Sequence, residues 1–438
     1  VDKDSVITID FSELSGIKEM PSYYQEYDGL KNKEPKLREL RFFNPQFNNK
    51  GDLAVIDIRS QDNKDRWIVQ IDLENGKIIE LNRQHDKAWI GGPGIGGFRG
   101  LLGFLPDDKT IYYQSEESGY AHIYLLDVST KIPRALTQGS WEVREAQLSN
   151  DGTTFYITST TTHPGNREFY KVDVQNGKII PILTKAGAHE VVLSPDESKM
   201  LVRYSYKNQP WELFVGPNTQ GSNLTKITSS THSEFAKYPW RDPEIVSFTA
   251  KDGQKVNARI YQPNKKIKNK AAVIFVHGAG YLQNAHNFWS SYHREYMFHN
   301  LLADKGYTVL DIDYRGSDGY GRDVRTGIYR HMGGLDLSDH VDGRKFLIDK
   351  YGIDPNKIGI YGGSYGGFIT LMALLTEPGK FKAGAALRSV TDWAHYNHGY
   401  TSNILNFPET DTLAYTKSSP IYFAENLQDK LVMLHGMV

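Results

Sequence analysis

The sequence contains no cysteine among its 438 residues. This absence excludes disulfide bonds, thiolate nucleophiles and cysteine-ligated zinc. An excess of charge of one sign is also lacking, since 51 Lys and Arg stand against 52 Asp and Glu, for a formal net charge of −1. That balance argues against a nucleic-acid-binding protein and against a polyanionic tail. Cysteine-free proteins occur in reducing and oxidising compartments alike, so the composition assigns no localisation.

Long apolar runs are missing as well. The longest good run, Ala271–Val276, is far shorter than the roughly 20 residues that cross a bilayer, so we expect no membrane span. With 39% apolar residues, the chain nevertheless has material for more than one packed core. It begins at Val1 without a signal-peptide pattern, and we expect it to be processed or cut.

A turn followed by a short strand recurs through the first half of the chain. The recurring aspartates lie 56, 43 and 45 residues apart, at Asp52, Asp108, Asp151 and Asp196. Short strands with turn signals at such spacing are typical of the blades of a β-propeller. We predict four blades between residues 42 and 234, preceded by one strand at Val6–Phe11. A β-sandwich is the alternative, which the regular spacing disfavours. Propellers usually have about four to eight blades, so we expect blades to be missing before this chain begins.

Near residue 240 the pattern changes to alternating strands and helices. A hairpin is predicted first, with strands at Glu244–Ala250 and Lys255–Gln262 on either side of the Asp252-Gly253 turn. Further strands are predicted at Ala271–Val276, Tyr307–Ile312, Lys357–Tyr361, Ala383–Leu387 and Lys430–Leu434. Helices are predicted at Trp289–Lys305, Asp336–Tyr351 and Tyr365–Leu375. This order favours a mostly parallel, doubly wound sheet covered by helices on both faces. We therefore divide the chain into a β-propeller, 1–240, and an α/β domain, 241–438.

The sharpest chemical signal is Gly362-Gly363-Ser364-Tyr365-Gly366, a G-x-S-x-G motif between a predicted strand and a predicted helix. A serine on such a tight turn is exposed at the edge of an α/β-hydrolase sheet. Flanking glycines avoid collisions with the neighbouring strand and helix. The motif predicts that Ser364 is a nucleophile, whereas an ordinary Gly/Ser loop is the structural alternative.

An oxyanion hole needs two backbone N–H donors near that serine. In this fold one belongs to the residue after the nucleophile, here Tyr365, and the other to a loop after an early strand. That loop reads His277-Gly278-Ala279-Gly280-Tyr281, where small residues would let a substrate carbonyl approach closely. We predict Ala279 N–H as the second donor. A plain glycine turn is the alternative.

Three motifs together resemble the prolyl oligopeptidase family of serine peptidases, and within it the dipeptidyl peptidase IV and acylaminoacyl peptidase branch. They are Asp313-Tyr314-Arg315-Gly316-Ser317-Asp318-Gly319-Tyr320-Gly321, Tyr361-Gly362-Gly363-Ser364-Tyr365-Gly366-Gly367 and Leu434-His435-Gly436. The resemblance implies a β-propeller joined to an α/β-hydrolase domain. It also implies hydrolysis of short peptides, with the propeller restricting access to the serine. No cofactor or metal is implied, and a homo-oligomer is compatible with it.

The resemblance also implies a hydrophobic pocket for the P1 residue of the substrate. Its wall would contain Val390, Trp393, Tyr396 and Tyr400. The three aromatic residues are spaced i, i+3 and i+7, which would place them on one helical face. Aromatic walls suit a small apolar ring such as proline. The alternative is that this stripe is only hydrophobic core.

Two features depart from the family pattern. Its dipeptidyl peptidases carry a Glu-Glu pair that binds the substrate's amino terminus, but Glu116-Glu117 looks like ordinary blade sequence and is not assigned that role. The triad order of this fold is Ser, Asp, His, and we expect the Asp and the His to lie beyond Val438. The hydrolase domain would then be incomplete. We interpret the acids and histidines that do follow Ser364 as structural, namely Asp392, Asp411, Asp429, His395, His398 and His435.

Three functions remain open from the sequence. The first is a serine peptidase that acts through an acyl-enzyme on Ser364. The second is a carboxylesterase, because His277-Gly278-Ala279-Gly280 also resembles esterase oxyanion loops. The third is a non-catalytic interaction protein that binds partners through the propeller. A propeller is unnecessary for an esterase, and the intact elbow around Ser364 argues against a decayed enzyme, so the sequence favours the peptidase.

Overall fold

The computed structural model describes residues 6–95 and 100–436. Across these residues the strands form four antiparallel sheets of four strands each, followed by one mixed sheet of seven strands. No helix in this part of the chain is both long and apolar enough to cross a membrane. The mixed sheet begins at Glu244, close to the change of pattern predicted near residue 240.

The first two antiparallel sheets follow the chain from Leu40 to Ala135. One contains β1 to β4, at Leu40–Phe47, Ala54–Ser60, Asp65–Ile71 and Ile78–His85. The other contains β5 to β8, at Leu102–Phe104, Thr110–Ser115, His122–Asp127 and Pro133–Ala135. In both sheets each strand pairs antiparallel with the next strand of the chain.

The other two antiparallel sheets repeat this arrangement. The third contains β9 to β12, at Val143–Leu148, Thr154–Ser159, Glu168–Asp173 and Ile179–Leu183. The fourth contains β13 to β16, at Ala188–Leu193, Lys199–Tyr206, Gln209–Pro217 and Thr225–Lys226. Both keep the chain order of their strands. The four repeats predicted from the sequence are therefore confirmed as four meanders.

Aspartate side chains close three of the recurring turns that precede strands in the first half of the chain. Asp107 Oδ1 accepts hydrogen bonds from two backbone N–H groups, at 3.0 and 2.8 Å. Asp151 Oδ1 accepts one from Thr153 N at 3.0 Å, and Asp196 Oδ1 accepts one from Ser198 N at 3.2 Å. Carboxylates that bind the backbone two residues ahead favour turns over strands, so the repeated acids set the strand boundaries.

One predicted element is wrong. Residues 6–11 form no strand, because none of the strands in the described part of the chain pairs with their backbone. Phe11 instead packs its ring against Phe42, with ring centroids 5.0 Å apart. Asp10 then accepts a hydrogen bond from Ser12 N at 2.8 Å and turns the chain.

The described chain divides into two compact units. One contains the chain up to Ser159 together with Tyr170–Pro181, and the other contains Thr160–Phe169 together with the chain from Ile182 onward. The boundary passes through the third sheet, and the fourth sheet belongs to the same unit as the mixed sheet. Within the first unit, neighbouring sheets pack through buried apolar residues such as Ile123 and Phe155. The division at residue 240 stays a prediction.

The mixed sheet has the strand order β17-β18-β20-β19-β21-β22-β23. In chain order, β17 to β23 lie at Glu244–Thr249, Lys255–Tyr261, Ala272–Val276, Thr308–Asp313, Ile358–Gly363, Ala383–Leu387 and Lys430–Leu434. The hairpin β17-β18 pairs antiparallel with the sheet, and β19 to β23 run parallel to one another. The mostly parallel sheet predicted from the sequence is confirmed.

Helices connect the parallel strands, and one further helix lies before the mixed sheet. They are α1 to α7, at Ser233–Lys237, His293–Asp304, Arg322–Arg325, Leu335–Tyr351, Tyr365–Thr376, His398–Leu405 and Thr412–Ser418. Helix α2 starts at His293 rather than at the predicted Trp289. The reason is that backbone N–H groups before His293 donate to side chains rather than to helical carbonyl groups. Trp289 N donates to Ser205 Oγ at 3.1 Å, and Tyr292 N donates to Ser290 Oγ at 3.0 Å.

Two buried acids on β20 anchor the long loop that follows β19. Asp313 accepts hydrogen bonds from Asn284 N at 2.7 Å and from Ala285 N at 3.0 Å. Asp311 accepts from Asn284 Nδ2, at 3.2 and 3.1 Å to its two oxygens. Burial raises the pKa of Asp311 to about 8 and that of Asp313 to about 6. Below pH 8 the loop is therefore fixed in part by a neutral carboxyl group.

The raised pKa of Asp311 predicts a pH-dependent stability. The folded carboxyl keeps its proton up to about pH 8, whereas the unfolded one loses it near 3.8. Stability is therefore lost as the pH rises through this window. An Asp311→Asn variant stays neutral, so between pH 6 and pH 8 its free energy of unfolding should fall less, by up to about 1.4 kcal/mol per pH unit. Urea unfolding at several pH values measures both slopes.

The matched control is Asp28→Asn, because the Asp28 side chain is 96% exposed. This variant should keep the pH dependence of the native protein. Equal slopes for the native protein and Asp311→Asn would contradict the assignment of a raised pKa to Asp311.

Candidate active site

Ser364 lies on the tight turn between β21 and α5. Its φ of 58° and ψ of −118° are unusual for a residue with a side chain. The turn is held from both sides, since Ser364 N donates to Leu387 O at 2.9 Å and Phe368 N donates to Ser364 O at 2.9 Å. Backbone strain of this kind persists only where the surroundings impose it, and it is common at functional sites.

Two glycines of the motif let the turn approach the end of β19. A Cβ atom on Gly362 would lie 2.4 Å from Val276 O, and one on Gly366 would lie 2.1 Å from the same oxygen. Real Cβ atoms do not approach backbone oxygen so closely. Glycine at both positions is thus required by the packing of β21 and α5 against β19, as the sequence analysis expected.

The structure brings the two predicted oxyanion donors to the neighbourhood of Ser364. Tyr365 is the first residue of α5, so its N–H has no acceptor within the helix. The loop after β19 passes beside the serine, since a Cβ on Gly278 would lie 3.8 Å from Ser364 Cβ. Ala279 has a φ of 61°, and none of the described residues accepts a hydrogen bond from its N–H. Two free amide donors beside a hydroxyl can stabilise a tetrahedral oxyanion.

A cavity of about 210 Å³ opens at the serine. It is lined by Ala279, Tyr281, Ser364, Tyr365, Trp393, Tyr396, Asn397 and Tyr400. Its aromatic rings contact one another edge to face or tilted, with centroids 5.4 Å apart for Trp393 and Tyr396 and 6.0 Å apart for Tyr396 and Tyr400. Such a cavity suits a small apolar group next to the reacting carbonyl.

The predicted single helical face for these aromatics is wrong. Trp393 lies in a short 3₁₀ turn, Trp393–His395, whereas Tyr400 lies in α6. Asn397 separates the two segments, because its side chain accepts a hydrogen bond from Tyr400 N and starts the new helix. Two short helical segments, rather than one, bring the rings together. Val390 is buried but does not line the cavity.

Sequence reasoning missed two residues of the cavity. Tyr281 directly follows the glycine-rich loop, and its ring centroid lies 5.9 Å from that of Tyr400. Asn397 lies between the aromatic residues Tyr396 and Tyr400, and an Asn before a helix is an N-cap signal. Tyr281 lies at the end of the predicted oxyanion loop, and Asn397 lies between two predicted pocket residues. Their positions in the sequence are therefore the signal that could have identified them as cavity residues.

The Tyr365 side chain is buried. Its hydroxyl donates to Asp336 Oδ2 at 2.6 Å, and Asp336 also accepts from Gly333 N at 3.0 Å. Burial raises the pKa of Asp336 to about 6. The Tyr365 ring stacks on Tyr314 with an interplanar angle of 5°. This anchoring fixes the residue that is predicted to supply the first oxyanion donor.

The described histidines and acids after Ser364 do not contact its hydroxyl. His395 Nδ1 lies 3.0 Å from Asp392 Oδ2, but the His395 side chain is 84% exposed. Asp411 is paired with Arg330, and Asp429 accepts from Gly379 N. His398 packs beside Phe407, and His435 Nδ1 is near Gly436 O. Within residues 6–95 and 100–436, therefore, no His–Asp pair completes a triad with Ser364.

Sequence comparisons identify relatives for both halves of the chain. Human dipeptidyl peptidase 8 is 27% identical over 361 residues, which are 78% of this chain and 40% of that protein. Dipeptidyl peptidase 4 of Trichophyton rubrum is 26% identical over 389 residues, 86% of this chain and 49% of that protein. The uncharacterized peptidase YuxL of Bacillus subtilis is 27% identical over 300 residues, 66% and 44% respectively. The chain thus spans less than half the length of these relatives.

The structure is similar to the crystal structure of Porphyromonas gingivalis dipeptidyl peptidase 4, with a TM-score of 0.76 and 23% sequence identity. That match covers 90% of this chain and 55% of the other, and it shows a shared fold. Two family models also match, Dipeptidyl peptidase IV (DPP IV) N-terminal region at residues 24–211 and Prolyl oligopeptidase family at residues 293–438. The resemblance predicted from the motifs is confirmed: residues 293–438 match the prolyl oligopeptidase family, and residues 24–211 match the N-terminal region of dipeptidyl peptidase IV.

Proposed function

We propose that the protein is a serine peptidase that hydrolyses short peptides through an acyl-enzyme on Ser364. The observation that carries this proposal is the position of Ser364, on a strained turn beside two backbone N–H donors and at the mouth of an aromatic cavity. The dipeptidyl peptidases among its relatives support the substrate class. Removal of dipeptides or of acylated residues from a peptide terminus is the favoured specificity.

The proposed reaction begins with attack of Ser364 Oγ on the substrate carbonyl. A histidine accepts the hydroxyl proton and later gives it to the leaving amine, while a carboxylate orients that histidine. We place this pair outside the described residues, since none of those residues fills the role. The N–H groups of Tyr365 and Ala279 hold the oxyanion. The amine that leaves is the amino terminus of the shortened peptide. Water then hydrolyses the ester of the acyl-enzyme, which releases the dipeptide or acylated residue and restores the Ser364 hydroxyl.

The cavity would select the residue whose carbonyl is attacked. Trp393, Tyr396 and Tyr400 form walls that match a proline or alanine side chain in size and polarity. We further propose that the four antiparallel meanders are blades of a β-propeller that limits access to short peptides. This proposal rests on their repeated four-stranded pattern and on the match to the dipeptidyl peptidase IV N-terminal region.

A Ser364→Ala variant of the native protein should lose about six orders of magnitude in kcat on chromogenic dipeptide amides. The cause is the loss of the only group that can form the acyl-enzyme. Thermal unfolding should change little, because Ala removes one hydroxyl and keeps the backbone. The matched control, Ser338→Ala on α4, should keep its kcat.

Activity of Ser364→Ala above about a thousandth of the native value would remove Ser364 from the nucleophile role. Turnover of esters with none of amides by the native protein would favour the carboxylesterase. Turnover of neither would favour an interaction protein.

A Tyr396→Ala variant should weaken the preference for small apolar P1 residues. The Tyr396 side chain borders the cavity but is 45% exposed, so folding should tolerate its removal. We expect kcat/KM for Pro or Ala at P1 to fall by about 10- to 200-fold, as for loss of a hydrophobic contact. Kinetics on substrates that differ only at P1 measure this effect. Tyr422→Ala, which removes a 55% exposed tyrosine outside the cavity, is the control. Unaltered selectivity with reduced stability would make Tyr396 a packing residue.

A further inference from the structure

The backbone around Ala279 adopts a conformation that it would not choose alone. Its φ of 61° is in the left-handed region, which residues with a side chain rarely enter. The following glycine, Gly280, also has a positive φ, of 67°. Glycine adopts such a φ without strain, whereas at Ala279 the conformation is strained and must be imposed by contacts. The groups that impose it here can be identified one by one.

The first group is the hydroxyl of Tyr292, directly before α2. Gly278 N donates a hydrogen bond to this hydroxyl at 2.7 Å. The peptide group between Gly278 and Ala279 carries the Ala279 N–H and is called the donor peptide here. The bond to Tyr292 holds the peptide group that precedes it. Tyr292 also packs its ring edge to face on Phe275, at 5.6 Å between centroids. The hydroxyl is thus held by the sheet itself.

The second group is the hydroxyl of Tyr400 on α6. It donates a hydrogen bond to Ala279 O at 3.1 Å and so holds the peptide group that follows the donor peptide. The approach is close, since a Cβ on Gly280 would lie 3.0 Å from the Tyr400 hydroxyl. The Tyr400 ring lines the cavity at the same time. The Tyr400 side chain therefore contacts both the cavity and the loop at residues 277–281, which is called the oxyanion loop below.

The third group is the His277 ring, which acts on the donor peptide itself. His277 Nδ1 lies 3.0 Å from Gly278 O, and Nε2 lies 3.1 Å from Ser317 Oγ. A carbonyl oxygen only accepts, so Nδ1 carries the proton and the Ser317 hydroxyl donates to Nε2. Burial lowers the pKa of His277 to about 4, so the ring stays neutral near pH 7. The ring also stacks on Tyr314, at 4.4 Å between centroids.

From this arrangement we infer that Tyr292, Tyr400 and His277 are positioning residues that aim the Ala279 N–H at the oxyanion. They hold three successive peptide groups of the loop, one each, and none of them needs to touch the reacting atoms. The inference rests on the proposed function. It adds a second role for Tyr400, whose ring shapes the cavity while its hydroxyl holds the oxyanion loop.

The test compares three variants of the native protein that each remove one tyrosine hydroxyl. Tyr292→Phe removes the hydrogen bond to Gly278 N, and Tyr400→Phe removes the hydrogen bond to Ala279 O; these two are called the clamp variants. Tyr415→Phe is the matched control. The Tyr415 hydroxyl donates to Asn406 O at 2.9 Å and lies outside the cavity. Each variant is assayed for kcat and KM on a dipeptide amide. Each is also titrated with a peptide aldehyde, which adds to the serine and places an oxygen in the oxyanion hole, and with the corresponding product peptide.

We expect Tyr292→Phe and Tyr400→Phe each to lower kcat by about three- to tenfold, the effect of one lost hydrogen bond. KM, product affinity and P1 selectivity should stay within about twofold, because the aromatic rings remain. Aldehyde affinity should fall in the same proportion as kcat/KM, as for an interaction made in the transition state. Tyr415→Phe should match the native protein in all of these.

The inference is overturned if both clamp variants bind the aldehyde and turn over as Tyr415→Phe does. It is also overturned if the losses appear equally in product affinity, which would indicate general damage to the cavity. Failure of the proposed function looks different: the native protein itself would neither turn over amides nor bind the aldehyde more tightly than Ser364→Ala does. That outcome would remove the inference together with the proposal.

Discussion

The structure of the site depends on the contact of two glycine backbones with the carbonyl of Val276. Gly362 at the end of β21 and Gly366 in the first turn of α5 lie so near this oxygen that neither could carry a Cβ atom. The close approach forces a sharp reversal between strand and helix. Ser364 lies at this reversal and has a positive φ. The packing of sheet and helix thus fixes the position of Ser364, and the proposed oxyanion donors lie around it.

The remaining parts of the site are arranged around that turn in two layers. The inner layer consists of the Tyr365 and Ala279 amides and the aromatic cavity. The outer layer holds the inner one, through Asp336 on the Tyr365 hydroxyl and through tyrosine and histidine groups on the loop of Ala279. The histidine and tyrosine groups of the outer layer are uncharged at neutral pH, whereas Asp336, with a pKa of about 6, is mostly ionised there. Groups that are held in fixed positions in this way suit oriented backbone dipoles.

The sequence predicted the parts that follow from local chemistry. Asp-rich turns and alternating strands gave the four meanders, and the glycines of G-x-S-x-G gave the elbow at Ser364. The predictions that failed did so for different reasons, one a missing partner strand and the other a local N-cap. Residues 6–11 lack a partner strand, and the helix expected through Trp393 and Tyr400 is interrupted at Asn397. The hydrogen bonds of Tyr292 and Tyr400 to the oxyanion loop join residues 14 and 121 positions apart, so no local pattern could reveal them.

The most direct test of the account is covalent labelling of the native protein with a dipeptide phosphonate diphenyl ester that carries proline at P1. Attack by a serine forms a phosphorus–oxygen bond and releases phenoxide, and mass spectrometry of the digested protein locates the adduct. We predict one adduct per molecule, on the peptide that contains Ser364, and none in Ser364→Ala. An adduct on another residue, or equal labelling of the two proteins, would contradict the assignment of Ser364 as the nucleophile.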